Sequence, residues 1–443
     1  MASSRRSLAG CLLLVFLFLG SLQNAHAFPA FARKYGLRCS ACHVAWPVLN
    51  DFGWRFKDNG YQLMNDRDSP IWQNPAYWPV TFRITPNWHR DSTNKVAIDT
   101  ASGPDTGEAK VTSHGFDLSG LDILSGGTLE KNLSFLLVPS ADETGAFHFE
   151  SVWVRFDNLA KSPWLNVRVG KFELDNFISE KRILSLSGNG GGYQLYHFEP
   201  PGDSNFSAQL GDNQLGAEWM GHSYDDHTRV SAALISSNDG NVDLVNANTY
   251  SGYFSASQAF DVGGLGLQRI GAYAFVGQAP TYSLTSGGIP VPGSSLGDKS
   301  FHREGVWGDF YLSKLDVAWY YQHGWDSAYF GTASTPLTGL PTGARSPSWN
   351  GAFFEPHYTV NPQLIFFGRG EFVRMSQQAL PGNKSDFGDI SAYTIGARWY
   401  PIMNARDGFA VHSEYSWITQ NGTAPDGGNL TSGTLFFGFD FDF

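Results

Sequence analysis

The sequence predicts a mainly β fold, a transmembrane β-barrel of about sixteen strands with a small N-terminal helical segment lodged at or in the barrel. Three observations predict it. From Pro79 onward apolar and polar residues alternate with period two, punctuated by Gly, Asn and Pro. The gaps between these alternating stretches are long and short in turn. The composition sets 15% aromatic residues and 50 glycines beside 16% charged residues and a mean hydropathy of −0.23. That mixture suits strands with one face in lipid and the other in a wet lumen. A secreted β protein of this size would ordinarily carry more charge.

Residues 1–27 read as an export signal. Arg5 and Arg6 give a charged start, Leu12–Leu19 an apolar core, and Ala25-His26-Ala27 a small-x-small cleavage site. The mature chain is expected to begin at Phe28. Leu8-Ala9-Gly10-Cys11 resembles a lipoprotein box, but it precedes the apolar core rather than following it. Ser4-Arg5-Arg6 hints at twin-arginine export, although two arginines are also an ordinary charged start. After the leader no run of 18 or more apolar residues occurs, so no transmembrane helix is expected.

Residues 28–75 form the second region. Cys39-Ser40-Ala41-Cys42-His43 carries the attachment spacing of a c-type haem, in which two thiols add to the haem vinyl groups and the histidine binds the iron. Once the leader is removed these are the two remaining cysteines. A zinc site would need a second pair of ligands at matching spacing, and a redox dithiol would need βαβ context and would leave His43 without a role. One covalent haem c is therefore expected on Cys39 and Cys42, with His43 as the proximal ligand. Phe52, Arg55, Phe56 and Asn59 fall at helical spacing and stop at Gly60. A segment this short lies near the size below which a chain needs a staple to fold, and covalent haem is such a staple.

Residues 76–443 supply the barrel. Strands are expected near 79–91, 111–122, 129–138, 146–157, 164–173, 206–223, 226–238, 248–260, 266–278, 300–312, 314–325, 347–359, 362–373, 388–400, 409–419 and 431–443. The stretch 206–223 could instead be two strands, or one strand and a lumenal loop. Long gaps at 92–110, 174–203, 279–299, 326–346 and 374–387 alternate with short joins such as 123–128, Asp225 and Asn361-Pro362. Long loops outside and short turns inside put both ends of the barrel on the periplasmic side. In the last strand Leu435, Phe437, Phe439, Phe441 and Phe443 share one face, while Thr434, Phe436, Gly438, Asp440 and Asp442 share the other. Its length matches a tilted membrane strand, and its terminal phenylalanine resembles the end of bacterial outer-membrane barrels. A barrel of this size is expected to enclose an aqueous lumen with the haem segment in its mouth.

Charge divides the same way. The precursor stands at −11 and the mature chain at −13. Residues 28–75 carry Arg33, Lys34, Arg38, Arg55, Lys57 and Arg67 against four aspartates, or +2, which leaves −15 on the barrel. An acidic body argues against nucleic acid and is compatible with a cationic substrate; keeping the protein soluble is the simpler use of the same charge.

The run Pro29-Ala30-Phe31-Ala32-Arg33 through Gly36 and Cys39–His43, followed by Pro47, Leu49, Phe52-Gly53, Phe56-Lys57 and Gly60-Tyr61, resembles the fused monohaem cytochrome–porins of the bacterial outer membrane, the iron-oxidising outer-membrane cytochrome c family. The resemblance covers residues 28–63; over the barrel it is one of architecture. It implies a bacterial outer-membrane protein that takes electrons from extracellular Fe(II), or another redox donor, and passes them to a periplasmic cytochrome or other carrier. Outward transfer to an external acceptor, or a diffusion porin with a haem-bearing plug, are the alternatives.

For the sixth haem ligand, Met64 is the one methionine of residues 28–75 and stands far enough beyond Gly60 to fold back. His/Met ligation would raise the reduction potential; simple packing is the competing role. His89, on the lumenal parity of the first strand with Arg83, Thr85 and Asn87, is the alternative. Parity also turns Asp309, Asp316, Glu414, Asp440, Asp442 and His412 into the lumen, a donor set that hard cations favour, alongside Arg83, Arg168 and Arg398. Asp440 and Asp442 are candidates to anchor Arg55 or Lys57.

Overall fold

The structure, a computed structural model, describes residues 29–45, 48–63, 79–141, 144–177, 194–195, 198, 200, 210–211, 213–238, 241–242, 250–280, 298–327, 346–377, 386–403 and 408–442. The expected leader and Met64 lie outside these residues, as does the whole connection 64–78.

Sixteen antiparallel strands close into one barrel. In chain order they are β1 Val80–Thr100, β2 Gly103–Glu130, β3 Leu133–Ala141, β4 Phe147–Phe156, β5 Asn166–Phe172, β6 Gln214–His222, β7 Thr228–Ile235 and β8 Ser251–Asp261. They continue with β9 Leu267–Pro280, β10 Asp298–Leu312, β11 Leu315–Asp326, β12 Ser348–Asn361, β13 Leu364–Gln377, β14 Ile390–Met403, β15 Gly408–Gln420 and β16 Leu430–Asp442. The last strand closes onto the first, with Phe437 opposite Trp88 and Asp442 opposite Arg83.

Each expected strand has an observed counterpart, and the faces follow. Thr434, Phe436, Asp440 and Asp442 are buried in the lumen, while Phe437 and Phe441 are exposed outside. Ala318, Tyr320 and Gln322 point in and Tyr321 points out; Thr394 and Arg398 point in and Tyr393, Ile395 and Trp399 point out. A lipid-facing apolar exterior against a polar and aromatic interior is the arrangement that hydrocarbon requires of a spanning sheet.

Two boundaries differ from expectation. The gap at 92–110 is no loop: β1 and β2 run on as a paired ribbon to Thr100 opposite Gly103. The join expected at 123–128 is strand, and the chain turns at Lys131–Asn132 instead, where Asn132 takes positive φ. Asparagine tolerates that conformation well, so the turn moves to it. Within 206–223 the strand is β6 alone, and Leu210 before it is buried.

Among the described residues the lumen is lined by more than polar groups. A continuous apolar cluster runs from Trp54, Phe56 and Tyr61 near the short-turn end to Phe301, Trp349 and Met375 near the long-loop end. Part of it comes from the β5–β6 connection, whose Leu174, Phe177, Leu195, Phe198 and Leu210 are buried. Phe177 stacks on Trp307 with centroids 4.6 Å apart, and Phe198 lies 5.1 Å from Trp349. Along the wall Tyr253, Tyr273, Tyr320 and Phe353 stack in series at 5.4–5.9 Å. Strand parity puts these rings inside, and the described residues of the connection fold inward onto them.

Candidate functional site

The N-terminal segment sits in the short-turn mouth of the barrel. It comprises α1 Pro29–Tyr35, the single helical turn α2 Cys39–Cys42, a short pairing of His43–Ala45 with Val48–Leu49, and α3 Asp51–Asp58. Asn50 joins the pieces. Its Oδ1 caps α3 by accepting from Gly53 N–H at 2.9 Å, and its Nδ2 donates to the carbonyls of Ala41 and Ser40 at 3.0 and 3.3 Å. One side chain thus satisfies orphan groups at the end of the cysteine turn and at the start of the next helix. Asn59 and Gly60 end α3, Gly60 at φ 74°.

Gly53 allows the two helices to meet. A Cβ at this position would stand 2.1 Å from the Cys42 carbonyl oxygen, so any larger residue would lift α3 off the cysteine turn. Behind it Phe31 stacks on Tyr61 at 4.7 Å and meets Phe56 edge-on at 5.3 Å.

The barrel wall grips this segment on several sides. Ala30 N–H donates to Thr81 Oγ1 at 3.2 Å, and Arg33 donates to the Val80 carbonyl at 2.7 Å. Tyr61 stacks on Trp153 at 6.3 Å, and Arg155 donates to the Lys57 carbonyl at 3.1 Å. Val48 packs with Ile365 and Phe367 of β13. The strongest tie is Arg229 of β7. Its guanidinium pairs with Asp58 of α3 at 2.7 Å and with Asp175 of the β5–β6 connection at 2.8 Å, and lies over Trp54 together with Arg269. A single buried cation therefore holds both the N-terminal segment and the inward-folded connection.

Cys39 and Cys42 occupy one helical turn and His43 follows directly, with Cys42 and His43 half-buried. Burial pushes the Cys42 thiol up to about 11, the opposite of the lowered value that a redox dithiol needs. The turn, the adjacent imidazole and the glycine cradle behind Cys42 fit a covalently attached haem. Met64 lies outside the described residues. His89 stands well along β1 from Thr81, about 26 Å by strand rise, with its Nδ1 3.6 Å from Asp91.

The lumenal acids face inward as expected, and most have partners. Asp440 pairs with Arg398 and lies 3.7 Å from Arg83; Asp442 is 3.9 Å from Arg83. These two do not anchor the N-terminal segment: Arg55 pairs within its own helix to Asp51 at 3.0 Å, and Lys57 is held through its carbonyl. Arg83 and Arg398 stand beside the two aspartates on neighbouring strands, so these wall charges pair with one another. Glu414 accepts from Ser416 and lies 3.2 Å from His412. Asp316 binds His357 at 3.0 Å, and His357 reaches Glu355, which pairs with Arg369. Arg168 pairs with Glu218. Among the described residues no three His, Cys, Asp or Glu side chains gather as a metal-ion site. Arg229, Trp54 and Asp175 were not legible as site residues, because their roles depend on where the β5–β6 connection folds.

No protein-family model matches the chain, and no curated protein matches it. Solved structures do. An anion-selective porin from Comamonas acidovorans superposes with a TM-score of 0.50 at 11% identity, over 82% of this chain and 99% of that one. The outer-membrane channel DcaP of Acinetobacter baumannii gives 0.49 at 10% identity, over 82% and 97%. OmpT of Vibrio cholerae gives 0.48 at 10% identity, over 82% and 99%. At such identity the likeness is one of fold. With its closed sixteen-strand wall and apolar exterior, the chain is a porin-like β-barrel of the bacterial outer membrane.

Proposed function

We propose that this chain is an outer-membrane electron-transfer protein that takes electrons from extracellular Fe(II) and delivers them to a periplasmic cytochrome or similar carrier. The observation that carries the reading is the Cys39–His43 turn, held inside the barrel mouth by Asn50, Gly53 and the grip of Arg229 on Asp58. Cys39 and Cys42 would hold a haem c, with His43 as a ligand to its iron and Met64 as the candidate for a second; His89, far along β1 from the docked segment, is the less suited alternative. Bound there, the haem supplies a one-electron iron couple.

The chain's own residues do the rest. Trp54, Phe56 and Tyr61 seat the segment against the wall, and a continuous apolar cluster extends from them into the lumen. Apolar packing of this kind in the lumen supports passage of electrons, while the fold by itself agrees with the diffusion-porin alternative. The acidic barrel favours a cationic donor at its surface.

The test uses intact cells. Fe(II) added outside should reduce the c-type absorption bands, added periplasmic carrier should reoxidise them, and the rate should fall as salt screens surface charge. Failure of Fe(II) to reduce the bands at any pH where it stays soluble, together with reduction of outside acceptors by the reduced protein, would establish outward transfer instead.

A further inference from the structure

A buried row of ionisable side chains crosses the lumenal wall beside the N-terminal segment. His357 of β12 stands at its centre. Its Nδ1 lies 3.0 Å from both carboxylate oxygens of Asp316 on β11, and its Nε2 lies 2.5 Å from Glu355 Oε1. Glu355 Oε2 accepts from Arg369 of β13 at 3.0 Å, and Glu371 lies 4.0 Å from the same guanidinium. None of these five side chains belongs to a residue more than 5% exposed, so water screens their charges little. An imidazole with an acceptor at each nitrogen donates from both, which fixes Asp316 and Glu355 as its partners.

Asp309 of β10 adds a carboxylate that this row does not balance. It is 3% exposed, and its Oδ1 has no hydrogen-bond partner among the described residues. On the β10–β11 ladder Asp309 sits opposite Ala318 and Asp316 opposite Tyr311, which makes the two aspartates diagonal neighbours. Such neighbours stand about 7–8 Å apart. The cation facing Asp309 from β9 is Arg269, directly across the ladder, and its guanidinium donates to the Asp226 carbonyl at 2.6 Å and to Ser257 at 3.0 Å. Among the described residues, the ionisable groups around this carboxylate are therefore Arg269 on β9, Tyr311 on its own strand and Asp316 on β11. His357, Glu355, Arg369 and Glu371 stand behind them. Two neighbouring carboxylates away from water repel each other, and a proton on one of them relieves the repulsion.

The row adjoins the N-terminal segment. His357 is directly opposite Phe367 on the β12–β13 ladder, and Val48 packs against Phe367. Val48 pairs with Ala45 in the short hairpin that begins at His43. We infer that Asp309 is a proton-binding site coupled to electron transfer: it takes up one proton as an electron arrives at the N-terminal segment and releases it as the electron leaves. The inference rests on the haem reading given above. Asp309 Oδ1 gains an O–H bond to a proton from solution while the iron gains one electron, and the same bond breaks when the electron passes to the carrier. The paired arrival leaves the net charge of a water-poor wall unchanged, the condition that a low dielectric favours. Asp309 is the acceptor because its Oδ1 has no donor, whereas Asp316 is held as a carboxylate by His357.

Redox titration of the purified, haem-loaded chain at a series of pH values tests this. The midpoint potential should fall as pH rises through the range in which Asp309 exchanges its proton, because a scarcer proton makes reduction harder. Asp309→Asn should give a potential that stays flat over that range, with the c-type absorption bands unchanged. The native chain supplies a second readout that needs no variant: infrared difference spectra between the oxidised and reduced states should show a protonated-carboxyl band that appears on reduction and shifts in heavy water. A haem-loaded chain without that band overturns the inference and leaves the electron-transfer reading in place. So does a pH-dependent potential that survives in folded Asp309→Asn. A chain that leaves the membrane folded and without haem overturns both.

Discussion

At the scale of single residues, the weight of this structure falls on Arg229. Two carboxylates from different parts of the chain, Asp58 and Asp175, converge on it in a buried place beside Trp54. Removing one partner of a buried ion pair typically costs about 3–5 kcal/mol, because the charge left behind has lost both water and its counter-ion. Arg229→Met should therefore loosen the N-terminal segment, seen as faster protease cleavage within residues 29–63 while the strands stay protected. Adding Asp58→Asn to that variant should recover part of the loss, since one orphaned charge is then gone. Equal protection in the single variant and the native chain would remove Arg229 as the tie. Its neighbours explain why no sequence pattern pointed to it: Arg229 shares the inward parity of every other lumenal residue on β7, and nothing local marks which acids it will meet.

At the scale of elements, the cysteine turn depends on α3. The helix is short, and eight residues hold little intrinsic helicity in water, so its caps and its packing decide whether it forms. Gly53→Ala would push a methyl group into the Cys42 carbonyl, a backbone atom with little freedom to yield. Overpacking of that kind costs about 1–3 kcal/mol, and the expected result is lower haem content with normal amounts of barrel in the membrane. Full haem incorporation by this variant would mean that α3 and the turn need not touch. The helix itself was legible from the spacing of Phe52, Arg55, Phe56 and Asn59 and from the stop at Gly60. The β1–β2 ribbon was not: residues 92–110 are rich in turn formers, and they become strand by pairing with each other above the rim.

At the scale of the whole molecule, the question is what passes through. The described residues of the inward-folded connection and of the N-terminal segment carry rings and ion pairs into the lumen. In a planar lipid bilayer the intact chain should therefore show no steady open-channel conductance, in contrast to a diffusion porin. A stable, ion-selective conductance with residues 29–63 in place would show that the packing leaves a water-filled path, and would favour the porin reading.

The sequence by itself determined which residues face lipid and which face the lumen. That choice is local: successive side chains on a strand point to opposite faces, so a period-two pattern fixes both strand and side, and Asp309, Asp316, Glu414 and Arg398 were placed inward on that ground alone. It also marked Cys39–His43, where two cysteines and a histidine fall within five consecutive residues. Tertiary structure alone decided whether the lumen is open, what holds the N-terminal segment, and how high each side of the wall stands. These depend on where the β5–β6 connection folds and on how far each strand finds a neighbour, both contacts between residues distant in the chain. Asp440 and Asp442 show the limit: their side was read correctly, and their partners, Arg83 and Arg398 rather than Arg55 or Lys57, were set by strand register across the seam where the barrel closes.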